Sequence, residues 1–372
     1  MKRNKEFLLL LSIFFIAFST NAIYAGEIEM PKFHVEVAVQ SLIFSGDDIV
    51  DDSTGMSIYT VPSNRFEIRH AGFEIDGEIS DYAEYCMEIS VSTCGASSGA
   101  VSVSEASLFY KPLKFLKAGI MKGHSMRGFE LYKECTDVLT AEKPRFATIF
   151  SQCHPTGAVI EADYDIDERM GIHAQAGYFN GLSNSIDDEH DINMGLQFRT
   201  PVEGLAIGGF YTDWQWKVFD YAEMKNIPYD GSRMAFGALY ENYNAHISGE
   251  YYLGTGFNDP NPIRAAYMIS GDTLQSEDLE MNAFYVEGGY TLNTGQVMMP
   301  FMQPYLRYQS WNKAANADGD NTLSYLTAGI TLGLGSSETT LRIDYEMPLA
   351  DTGILGYDEA NKLIVRMQGG LF

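Results

Sequence analysis

The stretch LTAGITLGLGSSETTLRIDYEM, residues 326–347, reads as two strands and a turn. Leu326, Ala328, Ile330, Leu332 and Leu334 share one phase, and Tyr325, Thr327 and Thr331 hold the other. After Gly335 to Ser337 the apolar phase resumes at Leu341, Ile343, Tyr345 and Met347, against Arg342, Asp344 and Glu346. A period of two means a strand with two unlike faces. The charged face needs water, so the apolar face needs a different neighbour, either a second sheet or lipid.

The same alternation runs outward through the whole chain. Val35, Val37, Val39 and Ile43 show it near the start, and Leu363, Val365, Met367 and Leu371 near the end. Sixteen such segments are predicted, near 32–44, 64–79, 82–94, 101–110, 115–122, 156–166, 169–180, 191–200, 204–215, 232–243, 245–255, 281–292, 300–311, 322–334, 338–347 and 361–372. Each is about the length a tilted membrane-spanning strand requires. The connections alternate. Short ones fall at 80–81, 112–114, 167–168, 201–203, 244, 293–299 and 335–337. Longer ones fall at 45–63, 95–100, 123–155, 181–190, 216–231, 256–280, 312–321 and 348–360. Short turns on one side and long loops on the other describe an outer-membrane β-barrel. A secreted β-sandwich also alternates, but it needs only about seven to nine strands in about 100 residues.

The fold class expected is therefore all-β, a transmembrane antiparallel barrel of about sixteen strands, as one domain over 26–372. Residues 1–25 read as a secretory signal peptide: Lys2, Arg3 and Lys5, then an apolar run, then small residues. In a closed sheet the last strand pairs with the first, which suits a final segment ending in Phe372. Strict alternation puts Phe372 opposite in phase to Leu371, so a bulge at Gly369–Gly370 is the candidate correction. The 23 Tyr, 22 Phe and 35 Gly suit a sheet with one face in lipid and one in water. The formal charge of -25 argues against nucleic acid as a partner. Outer-membrane lipid and lipopolysaccharide are the expected surroundings. Acidic runs at 47–52 and 187–191 read as solvated charge without an EF-hand pattern.

The second to fifth segments carry a resemblance. RFEIRHAGFEIDGEISDYAEYCMEISV and EASLFYKPLKFLKAGIMKGHSMRGFEL resemble successive segments of the phosphate-selective porin O and P family, at Leu108, Tyr110, Pro112, Gly119, Lys122 and Glu130. GIHAQAGYFNG resembles that family's strand end at Ala176, Gly177, Phe179, Asn180 and Gly181. The resemblance covers residues 64–181. It implies a homotrimeric, sixteen-stranded diffusion channel for small solutes whose third long loop, here 123–155, folds into the pore. Phosphate-specific members of that family line the lumen with ladders of Arg and Lys, and no such ladder is present here.

By alternation the lumen carries Glu36, Arg69, Glu84, Glu88, Glu161, Asp163, Arg169, Arg199, Arg307, Arg342, Asp344 and Arg366, with further acids at Glu67, Glu241, Glu250, Glu287 and Glu346. Acids outnumber bases, and carboxylate-lined pores favour cations. Loop 123–155 supplies the candidate constriction: Lys122, Arg127, Glu130, Lys133, Glu134, Asp137, Glu142, Lys143 and Arg145. Its bases alone would make an anion-selective gate, which is the alternative. Cys135 and Cys153 flank the loop and are a candidate disulfide. Cys86 and Cys94, about 26 Å apart on an extended strand, cannot pair unless the strand turns. His124 and His154 bracket the loop without a metal-ligand spacing motif, so hydrogen-bonded structural histidines are the simpler reading, and no metal or cofactor is expected. No GxSxG, HExxH or P-loop appears, so no enzyme is expected. A plugged barrel serving as an adhesin is the alternative from another class.

Overall fold

The computed structural model describes residues 30–46, 49–50, 57–59, 61–92, 101–133, 137–150, 154–180, 190–220, 225–242, 244–255, 280–312, 315, 322–349 and 360–371. Sixteen long strands form the wall: β1 Lys32–Ser45, β2 Arg65–Ser80, β3 Ala83–Ser92, β4 Val101–Leu113, β5 Leu116–Lys122, β6 Thr156–Asp165, β7 Gly171–Asn180, β8 His190–Arg199, β9 Leu205–Asp220, β10 Lys225–Asn242, β11 Ala245–Thr255, β12 Glu280–Tyr290, β13 Phe301–Asn312, β14 Thr322–Leu334, β15 Ser336–Pro348 and β16 Asn361–Leu371. Every strand pairs antiparallel with its sequence neighbours, and β16 returns to pair with β1. Closure removes both edges, so the strand amides and carbonyls are satisfied within the wall, as lipid demands.

The closing seam runs from Ser45↔Asn361 to Val35↔Leu371 without a register shift. The bulge expected at Gly369–Gly370 is therefore absent, and Phe372 lies outside the described residues. The outward face is apolar around the ring, including Val37, Phe66, Met87, Leu108, Ile160, Leu196, Phe236, Val286, Leu306 and Met367, all exposed. A continuous exposed apolar band of this kind is the lipid-facing surface of an outer-membrane barrel. Together with the closed sixteen-stranded wall it places the chain in a Gram-negative outer membrane. Tyr164, Tyr178, Tyr251 and Tyr290 are outward and exposed, as suits the aromatic girdles of a membrane barrel.

Three departures from simple alternation matter. β9 and β10 pair on to Asp220↔Lys225, so the long loop expected at 216–231 is mostly an extended hairpin. Ala38↔His70 is followed by Val39↔Ile68, which leaves Arg69 as an extra residue in β2. Glu88↔Glu105 is followed by Ile89↔Val103, which leaves Ser104 extra in β4. Each bulge reverses the phase of the strand beyond it. In β2, Phe66 and Ile68 point outward before the bulge, and Phe73 and Ile79 after it. Strict alternation misassigns every residue on the far side of such a point.

Candidate functional site

The lumen is defined by what loop 123–155 touches. The Met126 amide donates to Gln175 of β7 at 2.8 Å, and Ser125 meets Asn193 of β8 at 3.0 Å. Arg127 reaches Asp191 of β8 at 3.4 Å. The Phe129 and Glu130 amides both donate to the Glu250 carboxylate of β11, at 2.6 and 2.9 Å. Gly128 permits this approach, because a Cβ there would lie 2.6 Å from the Tyr252 hydroxyl and 2.8 Å from Glu250. The Ala141 amide donates to Asp344 of β15 at 2.7 Å. Lys362 of β16 reaches Glu142 at 2.6 Å, and Gln40 of β1 lies at 3.4 Å from it. A segment that touches β7, β8, β11, β15, β16 and β1 of one closed wall can only lie inside it.

Apolar packing fixes the loop there. Met126, Phe129, Leu131, Phe146 and Phe150 join Phe210, Tyr252, Tyr285, Trp311 and Tyr325 of the wall in one buried cluster. Two one-turn helices, α1 Phe129–Tyr132 and α2 Ala147–Phe150, present Phe129 and Phe150, and Phe146 directly precedes α2. Phe129 meets Phe210 edge-on at 5.6 Å, and Phe146 lies 5.1 Å from Tyr252. An apolar cluster inside a barrel gives the loop a reason to stay folded inward.

Charge completes the anchoring. Arg307 of β13 is 2 % exposed and touches Glu130 at 2.7 Å, Glu287 at 2.6 Å and the Glu142 carbonyl at 2.7 Å. Arg342 donates to the Val138 carbonyl at 2.7 Å. Arg145 pairs with Glu346 at 2.6 Å and lies 4.3 Å above the Tyr325 ring. Arg366 holds Gln40 through two nitrogens, at 2.8 and 2.6 Å. Burial, and then the Glu287 charge, raise the Glu130 carboxyl to about 7. Burial also pushes Glu142 upward, but Lys362, Arg69 and Arg366 outweigh it and hold the group well below the usual carboxylate range.

The expected constriction residues divide. Arg127, Glu130, Glu142 and Arg145 bind the wall as described, and Lys133 reaches Glu241 at 3.6 Å. Lys143 caps the Leu131 and Lys133 carbonyls within the loop. Asp137 is exposed, and Lys122, at the end of β5, lines the smaller cavity on the β2–β7 side with its ammonium on the Val103 carbonyl. Glu134, Cys135 and Cys153 lie outside the described residues, as does Cys94; Cys86 is a free thiol. Among the lumen residues, Glu36 accepts from Gln368 at 2.6 Å, and Glu88 lies 3.3 Å from His70. Arg169 is a correction: it sits exposed in the turn before β7, bonded to Asp167, because β7 starts at Gly171. Asp163 and Arg199 pair at an exposed mouth of the barrel, 3.3 Å apart.

Two cavities lie on the β2–β7 side of the lumen. A cavity of about 470 Å³ is lined by Lys32, Glu74, Asp76, Glu78, Glu84, Cys86 and Ser107. A second, of about 250 Å³, is lined by Glu105, Ser107, Lys117, His124, Tyr132 and Glu161 among others. Ser107 lines both, so the two are neighbours along the β2–β7 wall. Glu84 and Glu161 were legible from alternation. Glu74, Asp76, Glu78 and Glu105 were not, because all four follow a bulge. Lys117 bridges Glu84 at 3.2 Å and Glu161 at 3.1 Å, on the inner face of β5.

No family model and no curated protein matches the chain. Solved structures do. An outer membrane channel DcaP of Acinetobacter baumannii aligns with a TM-score of 0.60 at 11% identity, covering 93% of this chain and 100% of that one. OprB of Pseudomonas putida aligns at 0.59 and 10% identity, covering 92% and 94%. An anion-selective porin from Comamonas acidovorans aligns at 0.57 and 11%, covering 93% and 100%. These identities establish a shared fold.

Proposed function

We propose that the protein is an outer-membrane porin, a passive channel for small hydrophilic solutes that prefers cations. The observation that carries this reading is the opening along β2–β7, whose lining acids outnumber its bases. The named channels and porins of the same fold support the channel part of this reading; one of them is anion-selective, so the cation preference rests on the lining charges alone. Loop 3 acts as the constriction by filling the lumen along the opposite wall, so solutes would pass between it and the acidic strip. The loop's bases do not make an anion gate: Arg127, Lys133 and Arg145 each face a carboxylate, and Lys143 faces carbonyls. That favours a cation preference over the phosphate-like alternative. A trimer is part of the proposal, since a neighbour of this fold is described in a trimer form. No chemistry is assigned to the barrel.

A plugged barrel is the second reading, favoured by the large apolar cluster that fills much of the lumen. Liposome swelling separates the two. Vesicles carrying the protein are expected to swell in lysine faster than in glutamate at equal osmolarity. Swelling no faster than protein-free vesicles in either would favour the plug.

A further inference from the structure

We propose that His124 and His154 form a binding site for a borderline divalent transition metal, such as Zn²⁺, at the base of loop 3. His124 follows β5 and His154 precedes β6, so the pair joins the two ends of the inward-folded loop. Their rings lie 4.7 Å apart between centroids. Glu105 of β4 joins them, and one ligand-type atom from each of the three lies within 4.8 Å of the others. The Glu105 carboxylate takes the Nδ1 edge of His124 at 2.8 Å. That hydrogen bond assigns the proton to Nδ1 and leaves the lone pair on Nε2. Nε2 is buried with no hydrogen-bond partner, and the side chain is only 10% exposed. A buried lone pair without a partner costs free energy, and a metal ion at Nε2 removes that cost.

The arrangement is the carboxylate–histidine–metal relay, in which the carboxylate fixes tautomer and ring orientation. Imidazole ligands suit zinc, copper and nickel over the hard alkaline-earth ions. The His124 side chain also lines the smaller cavity, from which water completes the coordination. A second triple, His34, Glu74 and Asp76, also has ligand atoms within 4.8 Å, but His34 already meets Asp76 at 2.7 Å and the group is more open. The binding claim stands apart from the channel reading. Its consequence rests on that reading: a doubly charged ion beside Lys117, Glu161 and Tyr132 would tie down the loop, weaken the acidic field and lower the cation current.

The test is calorimetric titration of ZnCl₂ into the detergent-solubilised full chain. One site per chain is expected, lost in His154→Ala and in His124→Gln. Glu105→Gln should weaken it 10- to 100-fold, as expected for an orienting partner. His34→Ala should leave it unchanged. Heat-modified migration on a gel checks that each variant is folded. Absent binding in the folded wild type, or binding unchanged in folded His154→Ala, overturns the site. Bilayer currents with and without Zn²⁺ then test the consequence. Binding without any change in current keeps the site and overturns its control of the pore.

Discussion

Arg307 is the residue on which the loop's position depends most. It neutralises Glu130 from the loop and Glu287 from the wall, and it also holds the Glu142 carbonyl. Removing one partner of such a buried group strands the others, at a cost of about 3–5 kcal/mol. Arg307→Met should therefore free loop 3 while the wall remains closed. Limited proteolysis would show new cleavage within 123–155 in a barrel that still migrates as folded. Glu130 adds a pH dependence. Its carboxyl sits at about 7 inside the lumen, above its ordinary value of 4.5. The docked loop thus binds this proton more tightly than a released one. That contribution is complete below about pH 4.5 and is lost as the pH rises through about 7. Glu287, Glu250, Arg307 and Lys133 are the charges that face it. Cleavage of loop 3 should accordingly rise between pH 5 and pH 8, and Glu130→Gln should flatten that rise. Glu142 runs the other way: held low, it contributes at neutral pH and loses its contribution in acid.

At the scale of the element, strands are the most legible part of this chain. Alternation marked the start of β14 at Thr322 and the limits of β11, because a wall between lipid and water enforces two faces on every strand. Alternation failed where the backbone inserts a residue. Nothing in RFEIRHAGFEID announces that Arg69 is extra; the pairing with β1 decides it. The inward acids Glu74, Asp76 and Glu78 were invisible for that reason, and Glu105 was hidden by Ser104 in the same way. Within the loop, length and bracketing charges were readable, but the partners of those charges lie as far off as Glu346 and Lys362. Sequence distance of that order leaves no local signal. The bulge makes a sharp test. Deleting Arg69 would turn Glu74, Asp76 and Glu78 toward lipid, or slip the β1–β2 register, and either is costly. The deletion should abolish folded migration on gels, whereas Arg69→Ala, which keeps the extra residue, should still fold.

For the whole molecule, the closed wall and the filled lumen make opposite demands. Sixteen strands enclose a wide interior, yet the loop's apolar residues pack into an aromatic cluster against β9–β14. In the proposed channel, permeation runs along the β2–β7 strip, whose cavities are lined by Glu74, Asp76, Glu78, Glu84, Glu105 and Glu161 together with Lys32, Lys117 and Lys122. Removing residues 127–150 should widen that path and raise conductance several-fold, with little change in wall stability, because the strand pairing needs none of the loop. The formal charge of -25 acts in the same direction as the strip, concentrating cations near the protein. The measurement that bears most directly on this account is the reversal potential of single channels in a planar bilayer under a salt gradient. Discrete steps that reverse on the cation side are expected. Steps that reverse on the anion side, or a barrel that inserts and passes no current, would contradict it.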